Sequence, residues 1–329
     1  MPATYLKVVL QEAQGAGIPI QPLLANTGIS GQDVLTSDEP VSLENTLQVL
    51  TNAQQLFGAG WHLQFAERLT VSSHGPLGFA VVTGENIRAA VEVLQRFIST
   101  RAPFLWSAGT LEGDEFVLRF YETTALAEHR GTLMEIAALS LQYLLERPLG
   151  RTIAGAKLEF AHAAPAYAEL FEEAFHADVT FSAEQHAFRI PASWLEEPCA
   201  LFDQAMHTYL IGRCQEELLA TAGVLPPEVA VRQALLSQPG NVPGLPEIAQ
   251  SQNISARTLM RRLKQANTSY QQILDDVRRT LSRDFLRNSN MTITDIAWYL
   301  GFQDPSNFSR AFRSWYDESP LDFRRRHKD

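Results

Sequence analysis

Cysteine is almost missing: Cys199 and Cys214 are the two in 329 residues. Two thiols exclude a disulfide framework, and with no CxxC pair they offer no metal-ligand spacing. No metal and no cofactor are expected, and a reducing cytoplasm is the reading. Long apolar runs are lacking too; none approaches the roughly 18 residues of a membrane span. The opening MPATYLKVVLQEAQ has no basic region ahead of an apolar one, so a soluble chain, neither exported nor membrane-bound, is expected. Catalytic signatures are equally scarce. There is no GxSxG, HExxH or P-loop, and the GAG at 15–17 lacks the third glycine and the preceding strand of a dinucleotide site.

What is present is a globular composition, 45% hydrophobic and 19% charged, which excludes a disordered or fibrous chain. The length suggests two domains at roughly 150 residues each. The net charge of -10 speaks against a nucleic-acid binder until the chain is divided at Leu225. Residues 1–224 carry 12 Lys+Arg against 26 Asp+Glu, a net of −14, while 225–329 carry 15 against 11, a net of +4. An acidic body with a basic tail points to nucleic acid at one end and something else at the other.

The pattern along the chain begins with helices over residues 1–70: Leu6, Val9 and Leu10 share one face, 15–19 is a break, and residues 41–44 open a longer helix toward Phe57. The apolar run GFAVVT follows from Leu77, then helical spacing over 86–98. Alternating segments around 104–106 and 116–121, joined by Glu112-Gly113-Asp114, predict a hairpin. A helix at 128–145, a strand at 157–161, a helix at 165–175 and a strand near 188–191 complete an α+β domain. From Trp194 on the pattern is helical, with proline-rich breaks at 226–227 and 239–246. We divide the chain into an α+β effector-binding or dimerisation domain at 1–200, a helical linker at 201–226 and an all-α domain at 227–329.

Two stretches of the basic domain repeat one design of helix, tight turn, helix. In the first, Leu245, Ile248 and Ala249 share a face, Asn253-Ile254 turns the chain, and Ser255 caps a second helix with Leu259 and Leu263 one turn apart. In the second, Thr292 and Asp295 have capping-box spacing, Ile296 and Leu300 face inward and Gly301 turns the chain. Asp304 then caps a helix with Pro305 at its first position and Phe308 and Phe312 beneath. Gly301 and Asn253 are the residue types that tolerate a positive φ at matching places. Between the units, Ile273, Val277, Leu281 and Phe285 recur every four residues, marking a helix roughly 30 Å long, close to the roughly 34 Å between successive major-groove faces. One chain can thus present two recognition helices. Their outer faces offer Arg257, Thr258, Met260, Arg261, Arg262 and Lys264, and Ser306, Asn307, Ser309, Arg310 and Arg313. One such helix alone reads as a solvated face; two matched units in the one basic region favour double-stranded DNA.

The stretches ISARTLMRRLKQANTSYQQILDDVRRTLSRDFLR and ITDIAWYLGFQDPSNFSRAFRSWYDESPLDFRRR resemble the tandem helix-turn-helix domain of the AraC/XylS transcription regulators. By resemblance, Arg257, Met260 and Arg261 meet bases from the first unit and Pro305, Ser306, Asn307 and Arg310 from the second. Thr258, Arg262, Lys264, Ser309 and Arg313 are left to phosphate. Asn253 departs from the usual turn glycine, and Met260 stands where a hydrogen-bonding side chain is common, which substitutes apolar contact with a thymine methyl. The resemblance implies a cytoplasmic, nucleoid-associated regulator, an activator or dual, acting with RNA polymerase.

Residues 1–200 resemble the "arabinose-binding" N-terminal domain of one branch of that family, through GPLGFAVVTGENIRAAVEVLQRF, KLEFAHAAPAYAELFEEAFHADVTF and FRIPASWLEEP; sugar binding does not follow from the name. Phe104, Trp106, Phe120, Tyr121 and His162 are candidates to line an effector pocket, against the plainer reading of the aromatics as core and of His162 as a hydrogen-bonded structural histidine. Ser72-Ser73-His74 is a weak nucleophile motif, since adjacent loop side chains rarely share the needed geometry. The leucine-rich helix at 128–145 suits either burial or a homodimer surface. Two alternatives stay open beside an effector-controlled regulator: a ligand-independent dimer, and an enzyme fused to a DNA-binding tail. The expectation is no enzyme.

Overall fold

The structure, a computed structural model, describes residues 1–37, 39–222, 226–236, 242–289 and 291–328. The chain divides into two compact units, one of Met1–Ala108 and Val117–Cys214, the other of Gly109–Phe116 and Gln215–Asp329.

The first unit opens with α1 (Ala3–Gly15), α2 (Gly31–Thr36), α3 (Leu43–Phe57), α4 (Trp61–Ala66), α5 (Gly75–Val82) and α6 (Ile87–Phe97). Local chemistry sets their starts. The Ser42 hydroxyl accepts from the Asn45 amide ahead of α3 and the Asn86 side chain from the Ala89 amide ahead of α6, satisfying amides the helix itself cannot. Pro76 in the first turn turns the apolar GFAVVT run into helix α5. Leu10, Ala13, Leu23 and Ala53 are fully buried where the first helices meet, and Ile136 packs against that cluster.

Strands β1 (Leu105–Glu112) and β2 (Glu115–Glu122) follow, then α7 (Arg130–Leu149), β3 (Lys157–Glu159), α8 (Phe171–Ala174), β4 (Asp178–Thr180) and β5 (His186–Pro191). Among the described residues they form a five-stranded sheet in the order β1-β2-β5-β3-β4. Strand β3 runs antiparallel to β5 with Leu158 opposite Phe188, and parallel to β4 with Leu158 opposite Val179. This is an α+β unit, as the sequence predicts.

Two local expectations change. The helix expected at 165–175 is a 3₁₀ turn at Ala168–Leu170 followed by the single turn of α8. Gln142 of α7 is the reason: its Nε2 donates to the Ala174 carbonyl and its Oε1 accepts from the His176 amide, taking backbone groups that another helical turn would use. Strand β4 was not expected at all; with one apolar residue in three it carries no alternation.

Beyond α9 (Gln204–Ala222), the second unit contains α10 (Pro227–Leu236), α11 (Leu245–Ser251), α12 (Ala256–Gln265), α13 (Tyr270–Asn288), α14 (Ile293–Tyr299), α15 (Pro305–Tyr316) and α16 (Pro320–Lys328). The first proline break ends where α10 begins. Residues 239–241 of the second lie outside the described residues. The α13 residues Ile273, Val277, Leu281 and Phe285 are buried, and α10 and α16 pack on this helix. At 19 residues it is about 28 Å long. Phe308 and Phe312 are fully buried in a ladder of rings running from Phe302 through Phe308 and Phe312 to Phe323. Each such side chain contributes about 1.5–3 kcal/mol by burial.

Candidate functional site

The first helix-turn-helix is built as its sequence dictates. Ile248 and Ala249 of α11 are buried, with Leu245 half-buried. The chain reverses at Asn253, held at φ 54°. The Ser255 hydroxyl then accepts from the Thr258 amide to start α12, whose Leu259 and Leu263 are buried. The opposite face leaves Arg257, Arg261, Arg262 and Lys264 exposed and Thr258 half-buried. Met260 stands 53% exposed among them.

In the second unit Thr292 and Asp295 form a reciprocal capping box at the start of α14, and Gly301 turns the chain at φ 70°. Asp304 caps α15 by accepting from the Ser306 amide at 2.6 Å. The Ser306 amide and hydroxyl, together with the Arg310 charge, hold the Asp304 carboxyl below its ordinary range. Ser306, Asn307, Arg310 and Arg313 are exposed on α15, with Pro305 and Ser309 half-buried. Arg310 donates to the Asn307 side chain at 2.5 Å and the Ser309 hydroxyl to the Pro305 carbonyl at 3.0 Å. The structure therefore brings the residues named from sequence together on two helix faces, each opposite a buried apolar pair.

One contributor has no sequence signature. Arg278 of α13 donates through Nε to the Leu300 carbonyl at 2.9 Å and through Nη2 to the Gly301 carbonyl at 3.0 Å. Its guanidinium lies 4.1 Å from the centre of the Phe302 ring. These carbonyls end α14, so a cation there satisfies orphan acceptors and opposes the helix dipole. The connecting helix is thereby tied to the second turn.

The N-terminal unit holds a cavity of about 130 Å³. Phe104 and Phe120 line it; Trp106, Tyr121 and His162 are not among its lining. The pleat explains the division. Leu105, Ser107, Leu118 and Phe120 alternate onto the cavity face, leaving Trp106 and Tyr121 on the other, where their rings stack 4.1 Å apart. His162 instead sits 3.3 Å from Glu135. Glu135 is buried and also contacts His62 at 2.5 Å and the Tyr167 hydroxyl at 3.1 Å. The Ser72-Ser73-His74 run forms no nucleophile–base pair: the Ser73 hydroxyl accepts from the Thr70 amide and His74 Nδ1 meets the Tyr5 hydroxyl at 3.0 Å. Burial, then the Arg101 charge, lower the His74 pKa to about 4. Among the described residues no group of three or more His, Cys, Asp or Glu could hold a metal ion.

The family model described as "Arabinose-binding domain of AraC transcription regulator, N-term" matches residues 17–199, and one described as "Helix-turn-helix domain" matches 248–326. The chain is 30% identical over 326 residues to the "Ornithine utilization regulator" of Pseudomonas aeruginosa, covering 98% of this chain and 96% of that protein. The chain is an AraC-type transcription regulator. Its likeness to the "HTH-type transcriptional activator RhaS" of Klebsiella pneumoniae, 43% identical over 79 residues, spans 24% of this chain and 28% of that protein. The crystal structure of the transcriptional regulator CdpR from Pseudomonas aeruginosa aligns over 93% of this chain and 97% of that one, at 22% identity and a TM-score of 0.40. This AraC-type regulator is a DNA-binding transcriptional regulator, with its helix-turn-helix domain C-terminal to the arabinose-binding type. No helix among its described residues is long and apolar enough to cross a membrane.

Proposed function

We propose that α12 and α15 are the recognition helices and enter the major groove. Arg257, Met260 and Arg261 meet bases in the first half-site; Pro305, Ser306, Asn307 and Arg310 meet them in the second. Thr258, Arg262, Lys264, Ser309 and Arg313 take phosphate. The observation that carries this is the pair of capped second helices, each burying two apolar side chains and exposing a face with two or more arginines. Arginine reads guanine by a paired hydrogen bond, and the Met260 side chain suits a thymine methyl. Selection of binding sites from random duplexes tests it. Arg257→Ala and Arg261→Ala are expected to relax the base preference, each contact being worth about 1–3 kcal/mol, and unchanged preference in both overturns the assignment.

The domain division proposed is 1–200, 201–226 and 227–329. The N-terminal domain binds a small-molecule effector and forms a homodimer; the regulator works in the cytoplasm, activating through RNA polymerase. The cavity favours effector control over a dimerisation-only domain, which would close its core. Among the described residues the cavity lining includes no Asp or Glu, so none of them matches the second ammonium of a diamino acid, although the Pseudomonas relative is named for ornithine. The Ser73 hydroxyl engages the Thr70 amide and His74 Nδ1 the Tyr5 hydroxyl, not each other, which favours a regulator without catalysis. Binding of the effector changes operator affinity only by its differential affinity for two states. Operator titration with and without a metabolite panel measures that difference.

A further inference from the structure

Leu133, Ala137, Ser140 and Leu144 fall on one face of α7 and line the cavity from that helix, while α1, α3 and the β1–β2 hairpin supply much of the remaining wall. Polar side chains reach this wall too, and their polar atoms are turned elsewhere. The Met1 ammonium donates to the Val41 carbonyl at 2.6 Å, the Thr46 hydroxyl donates to the Ser42 carbonyl at 2.9 Å, and the Tyr5 hydroxyl lies 3.0 Å from His74 Nδ1. The Arg101 guanidinium is packed against Gly75, where an added Cβ would fall 2.5 Å from Nη2. His74 Nε2 and the Ser107 hydroxyl are each covered to less than 1 Å² of accessible surface. A molecule in the cavity therefore meets the carbon of these side chains. Ser140, half-buried on α7, adds one hydroxyl. Among the described residues, the surface turned to the cavity is almost all carbon.

We propose that this cavity takes a neutral apolar effector of about the size of a six-membered ring, carrying no more than one hydroxyl. The inference rests on the effector-binding reading above and specifies its ligand class. The size follows from the volume: a dry cavity of about 150 Å³ lined by aliphatic and aromatic side chains accommodates benzene, and this one measures about 130 Å³. The chemistry follows from the wall. Carbon moved out of water onto carbon is stabilised in proportion to the area covered. An ionised group, or the several hydroxyls of a sugar, would give up water for a surface that cannot replace it.

The test uses the full chain and five probes in calorimetry, thermal melting and operator titration: toluene, phenol, benzoate, benzylamine and L-arabinose. Toluene and phenol are expected to bind saturably, raise Tm and shift operator affinity, and the other three to do none of these. Ala137→Leu, which puts carbon into the cavity, is expected to weaken toluene about tenfold or more. If that variant fails to fold, xenon, which also enters dry apolar cavities, takes its place as a competitor in the unmodified chain. Displacement of xenon by toluene supports the site, and independent binding of the two overturns it. Toluene affinity unchanged by Ala137→Leu overturns the proposal, as does the absence of binding by toluene and phenol alike, or their binding without any shift in operator affinity. If benzoate, benzylamine or arabinose shifts operator affinity instead, the ligand class falls while effector control stands. If no compound of a wider metabolite panel shifts it, effector control falls as well.

Discussion

Asn253 and Gly301 occupy equivalent turns at φ 54° and 70°, yet the two positions tolerate different changes. Asn253 already pays the side-chain cost of the left-handed region, so Asn253→Ala is expected to lose about 1 kcal/mol and Asn253→Gly to be near neutral. At Gly301 a Cβ would sit 2.4 Å from Val242 Cγ2. Gly301→Ala therefore adds overpacking to backbone strain and is expected to cost about 2–4 kcal/mol; denaturant midpoints of the three variants separate the cases. On the outer face, Arg313→Ala is expected to weaken binding to all sequences and reduce the log–log salt slope by about 0.9. A change at one base position alone would contradict the phosphate role. The scarce thiols have a residue-scale consequence as well: burial pushes the Cys199 thiol up to about 11, and Cys214 is buried, so a thiol reagent at neutral pH is expected to label the native chain slowly and the unfolded chain fast.

At the scale of elements, the connecting helix does more than set a distance. Arg278 ties α13 to the end of α14 through two carbonyls and a ring face. Arg278→Met keeps the aliphatic stem but leaves those acceptors unmet, at an expected cost of about 1.5–3 kcal/mol. Its DNA signature should be a loss of affinity for the paired half-sites larger than for either half-site alone, measured by titration of split operators. This contact was not legible in the sequence, since Arg278 stands 22 residues before Leu300 and nothing local marks the pairing. Both helix-turn-helix units were legible, because caps, turn residues and buried pairs there act within four residues of one another. The N-terminal domain was read less fully for the same reason. Helix α8 is cut short by Gln142, more than 30 residues away in sequence, and β4 is a strand because β3 lies beside it. The aromatics of the hairpin were grouped as a pocket, while the pleat separates Phe120 from Tyr121. Alternation counted within each strand separately, Leu105 and Ser107 in β1 and Leu118 and Phe120 in β2, would have made that division.

For the molecule as a whole, acid is expected to erode stability in a defined window. His74 and His186 both have pKa values lowered to about 4, in each case first by burial. As pH falls below about 6.5 the unfolded chain takes up protons that the folded chain refuses, so stability is complete above that value and declines toward pH 4. For His74 the loss across the window is roughly 3 kcal/mol, and His74→Gln is expected to flatten the decline of Tm with pH by its share. The division of charge, −14 before Leu225 and +4 from it onward, gives the acidic part no long-range attraction for DNA and leaves sequence search to the basic one.

The contact of Val242 with Gly301 bears on how such proteins can be recombined. Val242 precedes α11, so a residue upstream of the first helix-turn-helix shapes the turn of the second, while Arg278 braces the same turn from between them. A chimera that imports only the second unit, joined near residue 291, would inherit a turn fitted to another protein's valine and arginine. Crossovers placed before Val242 transplant the turn with its supports, and those chimeras should retain operator binding where the shorter exchanges lose it.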